Sequence, residues 1–411
     1  MISAGSTPVS RTSYPNQFSI VAPPWQDISH GCSPAPPAAG LDRPNFRIYN
    51  DSMITITKEF ELNHTYFSGS GCPGNPEDYL FFDIETTGLS AKRDMVYLIG
   101  CVYFRDGSWH MKQWFADSRD AEREILLHFF MFSSRFAVLV HFNGTTFDIP
   151  FLRERAARFQ TPVSRSDQES LDIYRHIRPL KKLFGLEDCR QKTLERLLGT
   201  AREDPYDGGQ LISFYWNYLA GHDESLLHFL LLHNEEDVRG LPCLLAFLSY
   251  EAFFSGPFSL ESETLSGEGA GRLSISGRSR FVLPLPCRFS EDSCSVSCEG
   301  NRITLDLPVF RGSLKYFFRD YASYYYLPEE DRAIHKSVAA YVDKAHKKKA
   351  TAKTCYQKRE GIFIPVPQKA ADGLPVFRED YKHKPVYVEY KQELWQDSCF
   401  LQALIRELSP F

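Results

Sequence analysis

Asp83 and Glu85 stand two apart in Phe82-Asp83-Ile84-Glu85-Thr86-Thr87-Gly88, at the end of an apolar run. On an extended strand, side chains two apart point the same way. Two carboxylates held side by side repel and raise each other's pKa. A cation between them removes that cost, and oxygen ligands of this kind suit Mg²⁺ or Mn²⁺. Alone, the pair would more often mark only the surface end of a strand. Two further segments add acids. Asn143-Gly144-Thr145-Thr146-Phe147-Asp148 follows a second apolar run and puts Asp148 in the first turn of an expected helix. A lone acid there would be explained by the helix dipole. His233 and Asp237 lie four apart in His233-Asn234-Glu235-Glu236-Asp237, so on a helix they share a face.

The elements that must carry these residues follow from the hydrophobic pattern. Asp78–Glu85 and Met95–Phe104 read as buried strands. Trp109–Phe115 reads as a third, after the Asp106-Gly107 turn signal. Arg119–Ser133 carries a helical stripe, Phe136–Phe142 is another buried strand, and Phe147–Phe159 another helix. Three strands, then helix, strand and helix, imply a mixed α/β sheet flanked by helices. Thr193–Leu198, Leu211–Leu219 and Ser225–Arg239 read as helices, and Pro242 either kinks the last or starts a new one.

The three acidic segments, in this order and spacing, resemble the DEDD 3′–5′ exonuclease superfamily of the ribonuclease-H fold, over roughly residues 76–250. The chain also looks like the YprB-like branch of that fold. Ser170-Leu171-Asp172-Ile173-Tyr174, Lys192-Thr193-Leu194-Glu195-Arg196 and Arg202-Glu203-Asp204-Pro205 have close counterparts there. The resemblance implies that Asp83, Glu85, Asp148 and Asp237 bind two ions, Mg²⁺ or Mn²⁺, for phosphodiester cleavage. It implies His233 as general base, which suits an imidazole near neutral pH. His233 departs from the pattern. It sits where one branch of the superfamily has Tyr, four residues before the last Asp, whereas the branch that uses His spaces it five before. Helix packing is the other account of His233, with Glu236 or metal-bound water doing the base work. By the same resemblance, Thr86, Thr87 and Leu89 hold the terminal nucleotide, and Asn143 and Phe147 line the site. Asp172 is either an outer partner or a cap.

The remainder is organised more loosely. The chain has 411 residues, with 43% hydrophobic and 24% charged, which excludes a wholly disordered protein and suggests about two to three domains. Residues 1–52 hold eight of the 25 prolines and no lysine, and read as a tail or an over-extended start, with Met53 as the natural first residue. The ribonuclease-H-like domain is expected at 53–254 and a Gly/Ser/Glu-rich linker at 255–275. A β-rich α+β accessory domain is expected at 276–411. Its strands are read at Arg280–Pro286, Ser295–Glu299, Arg302–Pro308 and Ser313–Phe318, and its one helix at Glu329–Lys344.

The net charge of −5 excludes a uniformly basic nucleic-acid coat but not a basic patch. Residues 301–360 carry 13 Lys/Arg against 7 Asp/Glu, and Lys347, Lys348 and Lys349 lie in sequence near Tyr321, Tyr324, Tyr325 and Tyr326. Lysines neutralise phosphates and rings stack on bases, so this stretch either guides a strand or is a solvated helix end. Ten scattered cysteines, no signal-peptide pattern and no apolar run of about 18 residues point to a cytoplasmic protein with free thiols and no membrane partner. The expected function is metal-dependent 3′–5′ exonucleolysis of single-stranded DNA or RNA. The alternatives are a nucleic-acid-binding module with weak or lost catalysis and a structure-selective endonuclease. Protein partners are not legible.

Overall fold

The computed structural model describes residues 46–50, 53–62, 71–72, 74–163, 168–267, 271–291, 294–384 and 386–411. Its first half is built on a seven-stranded mixed sheet in the order β1-β2-β5-β4-β3-β6-β7. The strands are β1 (Phe46–Asn50), β2 (Met53–Phe60), β3 (Tyr79–Thr86), β4 (Val96–Arg105), β5 (Ser108–Ala116), β6 (Val138–His141) and β7 (Glu169–Asp172). β3, β4 and β5 run antiparallel, and β6 and β7 continue parallel to β3. Central β3 buries Tyr79 through Phe82 in succession, as a strand covered on both faces must. Asp106 (φ 52°) and Gly107 (φ 83°) make the two-residue turn between β4 and β5, where positive φ matches the twist of the hairpin.

Among the described residues, eight α-helices accompany this sheet: α1 (Glu122–Ser133), α2 (Asp148–Arg158), α3 (Ile173–Ile177), α4 (Leu180–Leu183), α5 (Gln191–Leu197), α6 (Gly208–Gly221), α7 (Glu224–Leu244) and α8 (Leu248–Ser255). Alternation along β3 assigns the faces. Phe82 meets Phe129 of α1 with ring centroids 5.2 Å apart, whereas Asp83 meets Asn234 of α7 on the opposite side. α1 and α2 are locked by a buried pair: Arg155 forks onto both oxygens of Glu122, which also accepts the Val96 N–H at 2.9 Å. α7 runs through Pro242 to Leu244.

The second half has an antiparallel sheet in the order β10-β11-β12-β9-β8. Its strands are β8 (Phe258–Ser266), β9 (Arg272–Ser279), β10 (Cys287–Glu291), β11 (Cys294–Glu299) and β12 (Arg302–Pro308). Two small sheets follow. One joins β13 (Phe310–Phe317), β17 (Tyr356–Val366) and β18 (Val386–Glu389). The other joins β14 (Tyr324–Leu327), β15 (Arg332–His335) and β16 (Lys348–Lys349). Short helices α9 (Lys336–Ala339) and α10 (Gln392–Trp395) precede the C-terminal α11 (Ser398–Leu408). The apolar core is continuous from the first sheet through Phe253 and Phe254 to Phe258, Phe289 and Leu404.

Several expectations change. Most of the expected tail lies outside the described residues, but its end is β1, paired with β2. The expected linker at 255–275 instead contains β8 and the start of β9. β8 is a largely exposed edge strand held by backbone pairing to β9, so its polar composition is that of an edge, not of a coil. Arg280–Pro286 is not a strand, because Pro284 and Pro286 supply no ladder donors. Nor is Glu329–Lys344 one helix: among these residues only the four of α9 are α-helical, after the strand β15. Asp331 (φ 48°) turns the chain so that β15 pairs with β14. Its carboxylate takes Lys358, Tyr326 and Tyr356, which hold it well below the usual carboxylate range. Tertiary pairing overrides the local helical pattern there.

Candidate active site

Asp83 and Glu85 extend from the same face of β3 at its C-terminal end, beside the parallel strand β6. The loop after β6 delivers Asp148 as the first residue of α2. α7 crosses the same face and brings His233 and Asp237 from one side of the helix. His233 Nε2 lies 3.2 Å from Asp237 Oδ2 and 3.6 Å from Glu85 Oε1. Glu85, His233 and Asp237 each present one ligand atom within 4.8 Å of the others.

Charge is concentrated here. Burial, then Asp237, Asp148 and Glu85, push Asp83 well above the usual carboxylate range, opposed by the Asn234 amide. Burial, then Asp237, Asp148 and Asp204, push Glu85 up in the same way, opposed by Lys192. Burial pushes Asp148 up to about 7, against hydrogen bonds from its own backbone and that of Ile84, with Asp172 and Asp237 adding to the rise. Clustered carboxylates that hinder one another's ionisation fit an oxygen-ligated divalent cation, which would let all of them ionise.

Asn234 is buried and reaches Asp83 Oδ2 at 3.2 Å. It passes over Gly100, the residue opposite Asp83 in the β3–β4 register. A Cβ on Gly100 would sit 2.0 Å from Asn234 Oδ1. Gln113, opposite Gly100 on β5, donates to that oxygen at 3.0 Å and to Leu231 O at 2.9 Å. Gly100→Ala must therefore displace the amide and leave buried polar groups unpaired. It is expected to cost about 1–3 kcal/mol, read as a lower urea midpoint with unchanged m-value.

The segment after α5 completes the site, and its residues carried no assigned role in the sequence. Arg202 forks onto Glu195, with Nη2 to Oε1 at 2.8 Å, and its Nη1 reaches Asp237 Oδ1 at 2.5 Å. Glu195 is buried against Gly240 of α7, where a Cβ would come within 1.8 Å of Oε1. Gln191 adds donors to Glu195 at 2.9 Å and to the Asp237 carbonyl at 2.6 Å. Asp204 meets His233 Nδ1 at 2.5 Å. The two oxygens of Glu236, the other base considered, accept the backbone N–H groups of Glu203 and Asp204. The sequence signal for these residues was the pair of segments around Lys192–Arg196 and Arg202–Pro205. A cavity of about 690 Å³ shares Glu195 and Arg202 with this network but none of Asp83, Glu85, Asp148 and Asp237.

The other expected residues are placed as follows. Thr86 Oγ1 donates to Gly88 O at 2.8 Å, and Thr87 Oγ1 accepts the Met95 N–H at 3.0 Å, so both hydroxyls shape the loop after β3. Leu89 on that loop is 88% exposed. Asn143 takes φ 60°, and Asp172 accepts its N–H at 2.8 Å and that of Thr145 at 3.3 Å. Asp172 thus pins the loop that carries Asp148. Phe147 is half-buried and packs on Phe151 at 5.4 Å. Lys347, Lys348 and Lys349 belong to the separate β14–β16 unit. Lys348 and Lys349 are exposed, whereas the Lys347 ammonium is engaged by the carbonyls of Ala339 and Val342.

Residues 80–249 match the RNase_H_2 family of the RNase_H superfamily. That stretch is a ribonuclease-H-like domain, as its motifs and strand order led one to expect. Comparison with curated protein sequences gives no match. Among solved structures, the chain is similar to the family B DNA polymerase of the archaeon Pyrobaculum calidifontis, at 14% identity and TM-score 0.33. That match covers 58% of this chain and 34% of the polymerase. A product-bound exonuclease I matches at 11% identity and TM-score 0.25, covering 48% of this chain and 58% of that one. The zinc-bound form of an E. coli ExoI–ssDNA complex matches at 13% and 0.25, covering 49% and 54%. The chain spans less than two thirds of the length of each. No helix among the described residues is long and apolar enough to cross a membrane.

Proposed function

We propose that the protein is a divalent-metal-dependent 3′–5′ exonuclease that hydrolyses single-stranded DNA or RNA in the cytoplasm. The observation that carries this reading is the convergence of Asp83, Glu85, Asp148 and Asp237 from three distant segments onto one end of the sheet. Those four are the residues that would hold two ions, Mg²⁺ or Mn²⁺. Bound there, such ions supply Lewis-acid polarisation of the phosphate and neutralise charge on the leaving oxygen.

The chain's own residues do the rest. His233 Nε2 takes the proton of the attacking water while its Nδ1 stays on Asp204. The water oxygen bonds to phosphorus, the P–O3′ bond breaks, and the 3′ oxygen leaves with a proton from solvent. The product is a 5′-mononucleotide and a strand one unit shorter. The loop of Thr86, Thr87 and Leu89 holds the terminal nucleotide, and Asn143 and Phe147 border it. Leu89, exposed as it is, is free to meet a base.

One observation favours a second reading. Both oxygens of Asp237 already have partners, Arg202 and His233. A site that keeps those pairs on substrate binding would bind nucleic acid with little cleavage. Single strands of DNA and RNA, labelled at either end and incubated with Mg²⁺ or Mn²⁺, separate these readings. Stepwise shortening from the 3′ end supports the proposal. Binding without cutting supports the second reading, and metal-dependent internal cuts would make the protein an endonuclease.

The exposed Lys348 and Lys349 on β16 suit the backbone of the incoming strand. Lys348→Ala with Lys349→Ala is expected to weaken single-strand binding. It should also reduce the slope of log K against log salt by about 0.7 for each phosphate that is no longer neutralised. Anisotropy titrations across a salt series read both effects, and an unchanged slope would leave these lysines as solvated surface.

A further inference from the structure

The histidine that faces the carboxylates is held from behind by a residue outside the three acidic motifs. Asp204 Oδ2 lies 2.5 Å from His233 Nδ1. An ionised carboxylate only accepts hydrogen bonds, so the proton between them sits on the imidazole. Asp204 is itself fixed by other donors. Lys192 Nζ donates to Oδ2 at 3.0 Å and the Tyr206 N–H to Oδ1 at 3.0 Å. Asp204 is 6% exposed, and Lys192 balances its charge. Its backbone is fixed too, because Glu236 accepts the N–H groups of Glu203 at 2.7 Å and Asp204 at 3.1 Å. His233 and Glu236 lie three apart on α7 and so face the same loop. The ring and its partner are thus tied together at two points.

We propose that Asp204 is a positioning residue for the nuclease reaction, holding His233 with its proton on Nδ1 so that Nε2 faces Glu85 and Asp237 as an acceptor. The proposal rests on the reading of His233 as general base. On the Nε2 side, Glu85 Oε1 is at 3.6 Å and Asp237 Oδ2 at 3.2 Å. With Asp204 absent, the neutral ring would do better to carry its proton on Nε2 and donate it to those carboxylates. It would then have no lone pair for a water. Arg202 is fixed in the same loop and holds the other oxygen of Asp237, so one loop orients two residues of the site.

Two measurements test this on the full chain. The first is ¹⁵N NMR of histidine-labelled wild-type protein, with and without Mg²⁺, the His233 signals assigned by their loss in His233→Gln. The expected ring, once neutral, carries its proton on Nδ1 and leaves Nε2 bare. A neutral ring with the proton on Nε2 overturns the proposal. This measurement needs no activity, so it stands even if the wild type cleaves nothing and the exonuclease reading fails. The second compares Asp204→Ala and Asp204→Glu. Asp204→Ala is expected to lower kcat on the order of 10²-fold, with KM within about twofold, and Asp204→Glu to recover part of the loss. A folded Asp204→Ala protein with wild-type kcat would also overturn it. Should Asp204→Ala not fold, the wild-type spectrum decides alone.

Discussion

Asp83→Asn is expected to abolish hydrolysis while making the metal-free protein more stable. The two effects share a cause. Asp83 is pushed well above the usual carboxylate range by burial, Asp237, Asp148 and Glu85, and its polar partner is the amide of Asn234. Replacing one carboxylate by a neutral isostere removes repulsion from a crowded cluster and keeps an oxygen for Asn234. The melting temperature without metal should rise by about 2–4 °C for each kcal/mol relieved. With Mg²⁺ or Mn²⁺ the order reverses. Cations that bind the folded state stabilise it by mass action, and the wild type, with its full set of carboxylates, gains more. Cleavage should fall on the order of 10³-fold or more, because several kcal/mol of transition-state stabilisation go with the ion. Differential scanning fluorimetry with and without metal, beside a cleavage assay, reads all three. A variant less stable than wild type in chelator would contradict the account of the cluster.

Arg202→Met is expected to have the largest cost in stability. Arg202 and Glu195 are both nearly inaccessible, and the guanidinium spans Glu195 and Asp237. Removing it leaves Glu195 buried without its cation, with Gln191 as its remaining donor. Breaking a buried pair in this way costs about 3–5 kcal/mol. The double variant Arg202→Met/Glu195→Gln should recover most of that stability, since the stranded charge is gone. It should not recover activity, because Asp237 still lacks the group that holds its Oδ1. Urea unfolding of the single and double variants, with cleavage measured on each, separates the two roles. Equal stability of both variants would refute the pairing argument.

Much of this site was legible because its spacing is local. The two-residue period of a strand puts Asp83 and Glu85 on one face, and the four-residue spacing puts His233 and Asp237 on one side of α7. The order of β3, β4, β5, α1, β6 and α2 followed from alternation and turn residues. What was not legible depends on contacts between distant segments. Nothing near Asn234 says that its amide must reach over Gly100 to Asp83, or that Gln113 will orient it. Arg202 and Asp204 stood in a segment with counterparts in the resembled family, but their partners on α7 show only once that helix is placed beside them. The C-terminal half was legible as β-rich, with strands where Ser295–Glu299 and Arg302–Pro308 were expected, and its misread segments failed for the same reason. Residues 329–344 have a helical pattern, but Asp331 binds Tyr326, Tyr356 and Lys358 and turns the chain into a hairpin. Edge strand β8 was hidden because an exposed edge carries polar side chains, and its place in the sheet comes from backbone pairing to β9.

In the proposed reaction water attacks phosphorus at the 3′ end and the 3′ oxygen leaves. The direct measurement is mass spectrometry of the mononucleotides released from a single strand in ¹⁸O-water with Mn²⁺ or Mg²⁺. Wild type should release 5′-monophosphates carrying one ¹⁸O in the phosphate, and neither Asp83→Asn nor wild type in chelator should form them. Release of 3′-phosphates, or 5′-monophosphates without the label, would contradict it.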